Sequence, residues 1–423
     1  MVLSWTLTLA SILTCGQESL YIAWVNTMAK NWLKYSILIA LTVLLAWIAA
    51  SRVAAAQDYM LNGDFFTFWL GGHMISQGQN PYDANQWLVH HDSFGAKWIP
   101  NNAYIYPLPL AIVTSPLGLL ALPIASKVWV FLSILMVLMS VGLSFSFGLI
   151  PRKLFYLLPA ICGVLTFRPV LVTLRNGQFG ALWLLCLAST IWLWRRNQWF
   201  IGGLFLPIIM LKPSFGIILV GLVAIWLLII KRWTALAGMS VSGAILMVLG
   251  WLYNPTWIPS FLEAGQNKLI SNFGFSPNIW GFLFAISRQN LATTIFLGTG
   301  LCILLFITFI LFLINRHEHK SPEYLISLII TIALLMTPYL WAYDQILLII
   351  PILVTMSNLY RMDKPYLLVA TSPILMTIIS LLLLILAVKF GNDASSVLLT
   401  VVSLVMVVMT TESDRIFLRV KSN

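Results

Sequence analysis

Carboxylates are the side chains best suited to move a proton in this sequence, and the 423 residues contain only thirteen of them. Glu318, Glu323, Asp363, Glu412 and Asp414 fall in basic turns or in the tail, and Glu18 lies in the N-terminal stretch. Asp58, Asp64, Asp83, Asp92, Glu263, Asp344 and Asp393 remain. Asp64 stands out because it follows the first long apolar run by a few residues, in Gly63-Asp64-Phe65-Phe66-Thr67-Phe68-Trp69. Such a carboxylate should sit at a membrane interface under aromatic cover. Partial desolvation there raises its pKa, which suits a general base. The same position also suits a helix N-cap, for which Asp is a common choice.

Lys212 lies between Leu211 and Pro213 in an otherwise apolar window. A cation buried in a membrane is costly, which makes it a functional candidate with a lipid phosphate as natural partner. The alternative is a lysine that snorkels from a helix end. Arg168 and Arg175, beside a helix breaker and a polar turn, are second-rank phosphate candidates. Asp344, within Trp341-Ala342-Tyr343-Asp344-Gln345, is the carboxylate expected to approach the site from the C-terminal half. It either orients substrate or pairs with a nearby cation. His90-His91-Asp92 resembles a metal cluster, but adjacent residues on an extended chain point apart and no further ligand pair has helical spacing. No metal site is predicted. Cys15, Cys162, Cys186 and Cys302 are widely spaced and form neither a metal nor a disulfide pattern.

The elements that must hold these residues follow from composition. Hydrophobic residues make up 60% of the chain and charged ones 9%, with a mean hydropathy of +0.93. A soluble domain has about a quarter of its residues charged, so a water-facing surface cannot be built from this supply. Apolar windows run at about 35–56, 104–122, 126–149, 154–173, 178–194, 200–230, 234–252, 291–315, 322–341, 346–359, 365–389 and 395–411. They predict an all-α, polytopic integral membrane protein with about twelve transmembrane helices.

The net charge of +11 concentrates in short connections, where a basic excess fixes orientation and meets anionic lipid. Nucleic acid is not a predicted partner; the bilayer is. Lys231-Arg232, Arg316 to Lys320, Arg361 to Lys364 and the tail from Arg415 read as cytoplasmic, which leaves outer segments at about 57–103 and 254–290. The middle admits two layouts. Either 104–122 spans fully and puts Arg152-Lys153 and Arg195-Arg196 outside, or it only dips in and 200–230 splits at Lys212-Pro213. Residues 1–34 form a leader without a basic n-region, and Met28, followed by Lys30 and Lys34, is the expected start. Residues 35–423 then make one membrane domain. No phosphate loop, dinucleotide fingerprint or zinc spacing occurs, which argues against an ATP-driven pump.

An ordered series changes the weight of Asp64. It comprises Asp64, Phe68-Trp69, Gly78, Asn80-Pro81-Tyr82-Asp83, Tyr104-Ile105-Tyr106-Pro107-Leu108-Pro109-Leu110, Pro116-Leu117 and Trp129. It continues through Asn176-Gly177-Gln178, the Gly203 to Lys212-Pro213 stretch, Lys231-Arg232-Trp233 and Pro338-Tyr339-Leu340-Trp341-Ala342-Tyr343. The series resembles glycosyltransferase family 87, of the C-type, multi-pass glycosyltransferases that take a sugar from a polyprenyl phosphate and include polyprenyl-phosphate-mannose-dependent mannosyltransferases. In that family an acidic residue in the first outer loop, then a Gly, a Pro-Tyr or Leu-Tyr and a Tyr-Pro-Pro turn, carries the active site. Here the turn is Tyr106-Pro107-Leu108-Pro109, without adjacent prolines.

The resemblance implies inverting transfer of a hexose, mannose foremost, from a polyprenyl phosphate to a lipid or glycan acceptor on the extracytoplasmic side of the cell membrane. Asp64 would be catalytic. Lys212, Tyr82, Tyr106, Arg175, Gln178, His73 and Asp344 would bind substrate, with His73 offering contacts to sugar hydroxyls. The leaving group is a stable phosphate monoester anion, so the reaction requires neither cofactor nor metal. The rival reading is a polytopic transporter or lipid flippase, but two repeated halves are not visible and polar residues gather on one side instead of at mid-membrane. A polysaccharide polymerase or ligase would rely on basic outer loops, and 254–290 holds only Lys268 and Arg288.

Overall fold

The computed structural model describes residues 36, 40–55, 61, 63–96, 104–146, 154–265, 275–316 and 321–412. The leader with Met28, Asp58, Arg152-Lys153, Lys268, the run 317–320 and the tail from Arg415 lie outside the described residues. All regular elements among those described are helical. After α1 (Ala40–Ala54) come α2 (Asp64–Ser76), α3 (Ala84–Ser93), α4 (Leu108–Gly118), α5 (Leu122–Ser146), α6 (Leu154–Thr166) and α7 (Arg168–Asn176). The middle of the chain forms α8 (Gly180–Arg195), α9 (Trp199–Gly203), α10 (Pro213–Ile229), α11 (Trp233–Tyr253) and α12 (Trp257–Gly265). The last part forms α13 (Ile279–Ile286), α14 (Leu291–Arg316), α15 (Pro322–Met336), α16 (Ile349–Arg361), α17 (Tyr366–Phe390) and α18 (Val397–Glu412). Three 3-10 segments, Leu206–Leu211, Ala342–Leu348 and Ala394–Ser396, interrupt the series.

Five of these elements are long and apolar enough to cross a membrane unaided: α5, α11, α14, the run Ala342–Arg361 and α17. A sixth arises if α6 and α7, bent by 53° at their junction, count as one span. Among the described residues, shorter apolar helices occupy the other predicted windows, and hydropathy windows do not register where proline cuts a helix. The window at 104–122 contains only the 11 residues of α4, roughly 16 Å against a hydrocarbon core of about 30 Å. The window at 200–230 breaks where Lys212 adopts an extended backbone (φ −119°, ψ 89°) and Pro213 opens α10, as the residue before a proline tends to do. The break at Lys212-Pro213 agrees with the helix split of the second layout for the middle of the chain.

Small residues bring the helices together. A Cβ on Gly203 would lie 2.3 Å from the Ala235 carbonyl, and one on Gly238 would lie 2.1 Å from that of Phe200. Helices α9 and α11 thus pack backbone to backbone, as membrane helices with small interface residues do. Helices α2 and α4 are joined in the same way, since a Cβ on Gly118 would sit 2.3 Å from the His73 nitrogen.

Three elements define two ends of the molecule. Arg195 at the close of α8 donates to the Glu323 carboxylate at the start of α15, and Arg361 at the close of α16 lies 3.9 Å from the same oxygen. At their other ends, Gly180 of α8 packs on Ile346, and α15 runs into the Pro338 to Tyr343 connection. The 16 residues of α8 set these ends roughly 24 Å apart. Arg195 therefore shares an end with Arg361, the turn read as cytoplasmic from sequence.

Candidate active site

The site at the other end starts from Asp64. Gly63 occupies the N-cap position, so Asp64 is the first residue of α2, half-buried in the turn where the helix dipole is positive. Phe68, one turn further along, packs against Tyr106 at 4.8 Å and against Phe179 at 4.6 Å between ring centroids. The Asn176-Gly177-Gln178 turn supports the helix from beneath. Gly177 adopts φ +64°, where L side chains strain, and a Cβ there would lie 2.5 Å from that of Phe65. Its carbonyl accepts the Trp129 indole N–H at 2.8 Å.

Lys212 approaches from the break ahead of α10. Its Nζ donates to both oxygens of Asp344, at 2.7 and 2.8 Å, and both side chains are buried. The Asp344 Oδ2 also accepts the Trp341 backbone N–H at 3.0 Å, which fixes the start of the 3-10 segment. The ammonium lies 4.5 Å from the centre of the Tyr343 ring, a favourable cation–π distance. Lys212 does not snorkel out of the protein.

Tyrosines join Asp64 to this pair. Burial raises the Tyr106 phenol well above its ordinary pKa, and the charge of Asp64 raises it further, ahead of that of Asp344. The Tyr339 phenol is pushed up to about 12, first by burial; the hydrogen bond it accepts from the Trp341 indole opposes the rise, and Asp64 and Asp344 add to it. Each phenol therefore stays protonated at neutral pH and can donate a hydrogen bond. Tyr106, Tyr339, Tyr343 and Lys212 line one cavity of about 810 Å³, together with Ile217 and with Phe261, Leu262 and Glu263 of α12. That volume is in the range of pockets that hold drug-sized ligands, and the walls combine apolar surface with a few polar groups.

The other sequence candidates fall elsewhere. The Tyr82 hydroxyl donates to the Tyr106 carbonyl at 2.6 Å, so it fixes the tyrosine that lines the cavity. His73 shares a 2.8 Å hydrogen bond between Nδ1 and the Gly118 carbonyl and stacks on Trp69, nine residues along α2 from Asp64. Gln178 is buried, and neither its amide oxygen nor its nitrogen has a hydrogen-bond partner. Arg175 is exposed in the last turn of α7. Arg168 donates to Asp393 at 2.5 Å and to the Ser396 hydroxyl at 3.0 Å. His90 to Asp92 lie on a helix, not on an extended chain: His90 bonds Gln79 at 2.7 Å, and His91 is enclosed by Phe66 and Trp87. Among the described residues, no three His, Cys, Asp or Glu side chains gather into a metal-binding group.

The cavity residues that sequence reasoning did not select are Glu263, Tyr339 and Tyr343. The aromatic alternation Tyr339-Leu340-Trp341-Ala342-Tyr343 beside Asp344 was the available signal for two of them.

Helices of spanning length beside a cavity, with a buried cation bonded to a carboxylate at its wall, define a multi-pass membrane protein with a largely apolar pocket that carries a few polar groups. Residues 104–338, more than half of the chain, match the family model described as glycosyltransferase family 87, and the chain belongs to that family. It is thus a membrane glycosyltransferase. The matched region contains Tyr106, Gln178, Lys212 and Glu263; it begins after Asp64 and ends before Asp344. No curated protein matches the chain significantly.

Proposed function

We propose that this protein transfers a hexose, mannose foremost, from a polyprenyl phosphate carrier to a hydroxyl of a lipid or glycan acceptor at the outer leaflet of the cell membrane. The observation that carries the reading is one cavity lined by Lys212 and by two phenols that feel the charge of Asp64. Asp64 takes the proton of the acceptor hydroxyl, whose oxygen attacks the anomeric carbon of the sugar. The bond from that carbon to the phosphate oxygen breaks, and the polyprenyl phosphate leaves with the electron pair. Attack opposite the leaving group inverts the anomeric centre.

Lys212 receives the phosphate, which must share the ammonium with Asp344 because both carboxylate oxygens are already bonded to it. The apolar wall formed by Ile217, Phe261 and Leu262 suits the prenyl chain. Tyr106 is a substrate-binding residue, with Tyr82 behind it; Gln178 supplies unspent hydrogen-bonding capacity near the start of α2. Arg175 and His73 remain candidate contacts for the acceptor. In this reading residues 35–423 form one membrane domain of C-type architecture, in which α1, α8, the stretch Trp199–Leu211, α10, α15 and α18 also cross, for about twelve passes. The active site then faces outward, opposite the Arg195 end.

The test is a transfer assay with purified protein in detergent, radiolabelled polyprenyl-phosphate-mannose and a membrane lipid extract. The expected result is label in a new product. Failure to release label from any prenyl-phosphate sugar contradicts the proposal and favours a transporter.

A further inference from the structure

Most of the described carboxylates on the Asp64 side are engaged by the protein or lie away from the cavity. Asp83 caps α3 by accepting the Asn85 and Gln86 backbone N–H groups at 3.0 and 3.1 Å. Asp344 is held by Lys212 and Trp341, and Asp393 by Arg168. Asp92 is exposed near the end of α3, outside the cavity wall. Glu263 differs from all of these. It makes no hydrogen bond or ion pair among the described residues, is exposed, and lines the cavity together with Lys212, Tyr106, Tyr339 and Tyr343.

Its place in the wall is fixed by the helix that carries it. Trp257 at the start of α12 is buried, and a Cβ on Gly250 of α11 would lie 2.7 Å from its indole nitrogen, with Pro109 of α4 on the same face. The indole wedged at this junction anchors α12, so Phe261, Leu262 and Glu263 face the cavity from a held helix.

A glycosyl phosphate offers two kinds of polar group. Its phosphate is attracted by Lys212 and repelled by a carboxylate. Its sugar presents hydroxyl donors, and a carboxylate accepts two of them at once through charge-assisted hydrogen bonds. We infer that Glu263 binds hydroxyls of the donor hexose and thereby discriminates among lipid-linked sugars. This inference rests on the transferase reading, and it assigns Glu263 to sugar recognition, not to proton transfer.

Binding separates the two ideas. Quenching of tryptophan fluorescence in detergent is to be titrated with polyprenyl-phosphate-mannose and with sugar-free polyprenyl phosphate, for the wild type, Glu263→Ala and Glu263→Gln. Hydrogen bonds to a charged group are worth about 1.5–3 kcal/mol, or roughly 10- to 150-fold in affinity. Glu263→Ala should weaken the sugar-bearing lipid by that factor, Glu263→Gln should weaken it less, and sugar-free polyprenyl phosphate should bind both variants at least as well as the wild type. Equal weakening of both lipids would show that Glu263 only supports the wall, and no weakening of either would remove it from the site. A wild type that binds both lipids equally while still transferring label overturns this inference alone. A wild type that binds neither lipid overturns the transferase reading with it.

Discussion

Two ion pairs lie near opposite ends of α8, roughly 24 Å apart by its 16 residues, and the space around them differs far more than their chemistry. Lys212, bonded to Asp344, borders a cavity of about 810 Å³ lined by tyrosines. The Arg195, Glu323 and Arg361 cluster, with Ser144 and Asn358 nearby, borders a space of about 10 Å³, enough for one water molecule. Both clusters tie distant helices together. Only the first leaves room for a ligand, and only there does a further carboxylate, Asp64, act on the surrounding phenols. A buried charge pair by itself is therefore weak evidence of function; access and what lines it decide the matter.

The largest expected effect belongs to Asp64→Asn. The amide keeps the size and hydrogen-bonding capacity of the side chain but cannot accept the hydroxyl proton, and loss of a general base costs about 10²- to 10⁴-fold in rate. Asp83→Asn and Asp92→Asn remove equal charge from the same region and should change the transfer rate far less. Near-normal transfer by Asp64→Asn together with loss in Asp344→Asn would move the base to the other carboxylate.

Next in size are paired substitutions at the two ends. Replacing a buried ion pair by apolar residues often leaves stability unchanged, so Lys212→Met combined with Asp344→Leu should keep the melting temperature while raising KM for the lipid donor about 10- to 100-fold. Glu323→Gln at the other end should lower the melting temperature and leave kcat/KM unaltered. Its cost should fall below the roughly 3–5 kcal/mol of a fully buried pair, because the Arg195 side chain is 30% exposed. Kinetic changes of similar size at both ends would erase the distinction drawn here.

Gly177→Ala tests the support beneath Asp64. The added methyl meets the Phe65 Cβ and forces a strained φ, which should displace the start of α2 and lower kcat on the order of 10-fold with little change in donor KM. The smallest effect is on pH stability. Burial lowers the His91 imidazole pKa, against a raising effect of Asp92, and neither ring nitrogen has a partner. The unfolded chain takes up a proton near pH 6.5 that the folded protein resists, so stability is full above that pH and falls as pH drops below it. His91→Phe should flatten the fall in melting temperature between about pH 7 and 5, and an unchanged slope would show that His91 does not govern it.

The helical, membrane-embedded character was legible in composition, and Lys212 was legible as a lone cation in an apolar window, because both depend on residue type alone. Its partner was not determined by sequence. Asp344 lies 132 residues further along, and nothing local to either residue states that the chain breaks before Pro213 and brings them together. The same limit applies to His73 and Tyr82. Residue type and the family resemblance drew attention to them, but not to the backbone carbonyls 45 and 24 residues away that meet the His73 Nδ1 and the Tyr82 hydroxyl. Where the helices break was not legible, because a hydropathy window averages through Pro213 and through the short α4, whereas a helix must end or bend at such points. Glu263 was visible as an outer carboxylate, but the cavity that gives it meaning is formed by residues between 105 and 343.

Photo-crosslinking tests most directly whether the Asp64 end is where the lipid donor binds. A polyprenyl phosphate bearing a benzophenone on its chain, irradiated with the purified protein and mapped by mass spectrometry, should label Ile217, Phe261 or Leu262. Excess unlabelled polyprenyl-phosphate-mannose should suppress that labelling. Competable adducts near Ser144 and Asn358, with none at the wall formed by α10 and α12, would contradict the account.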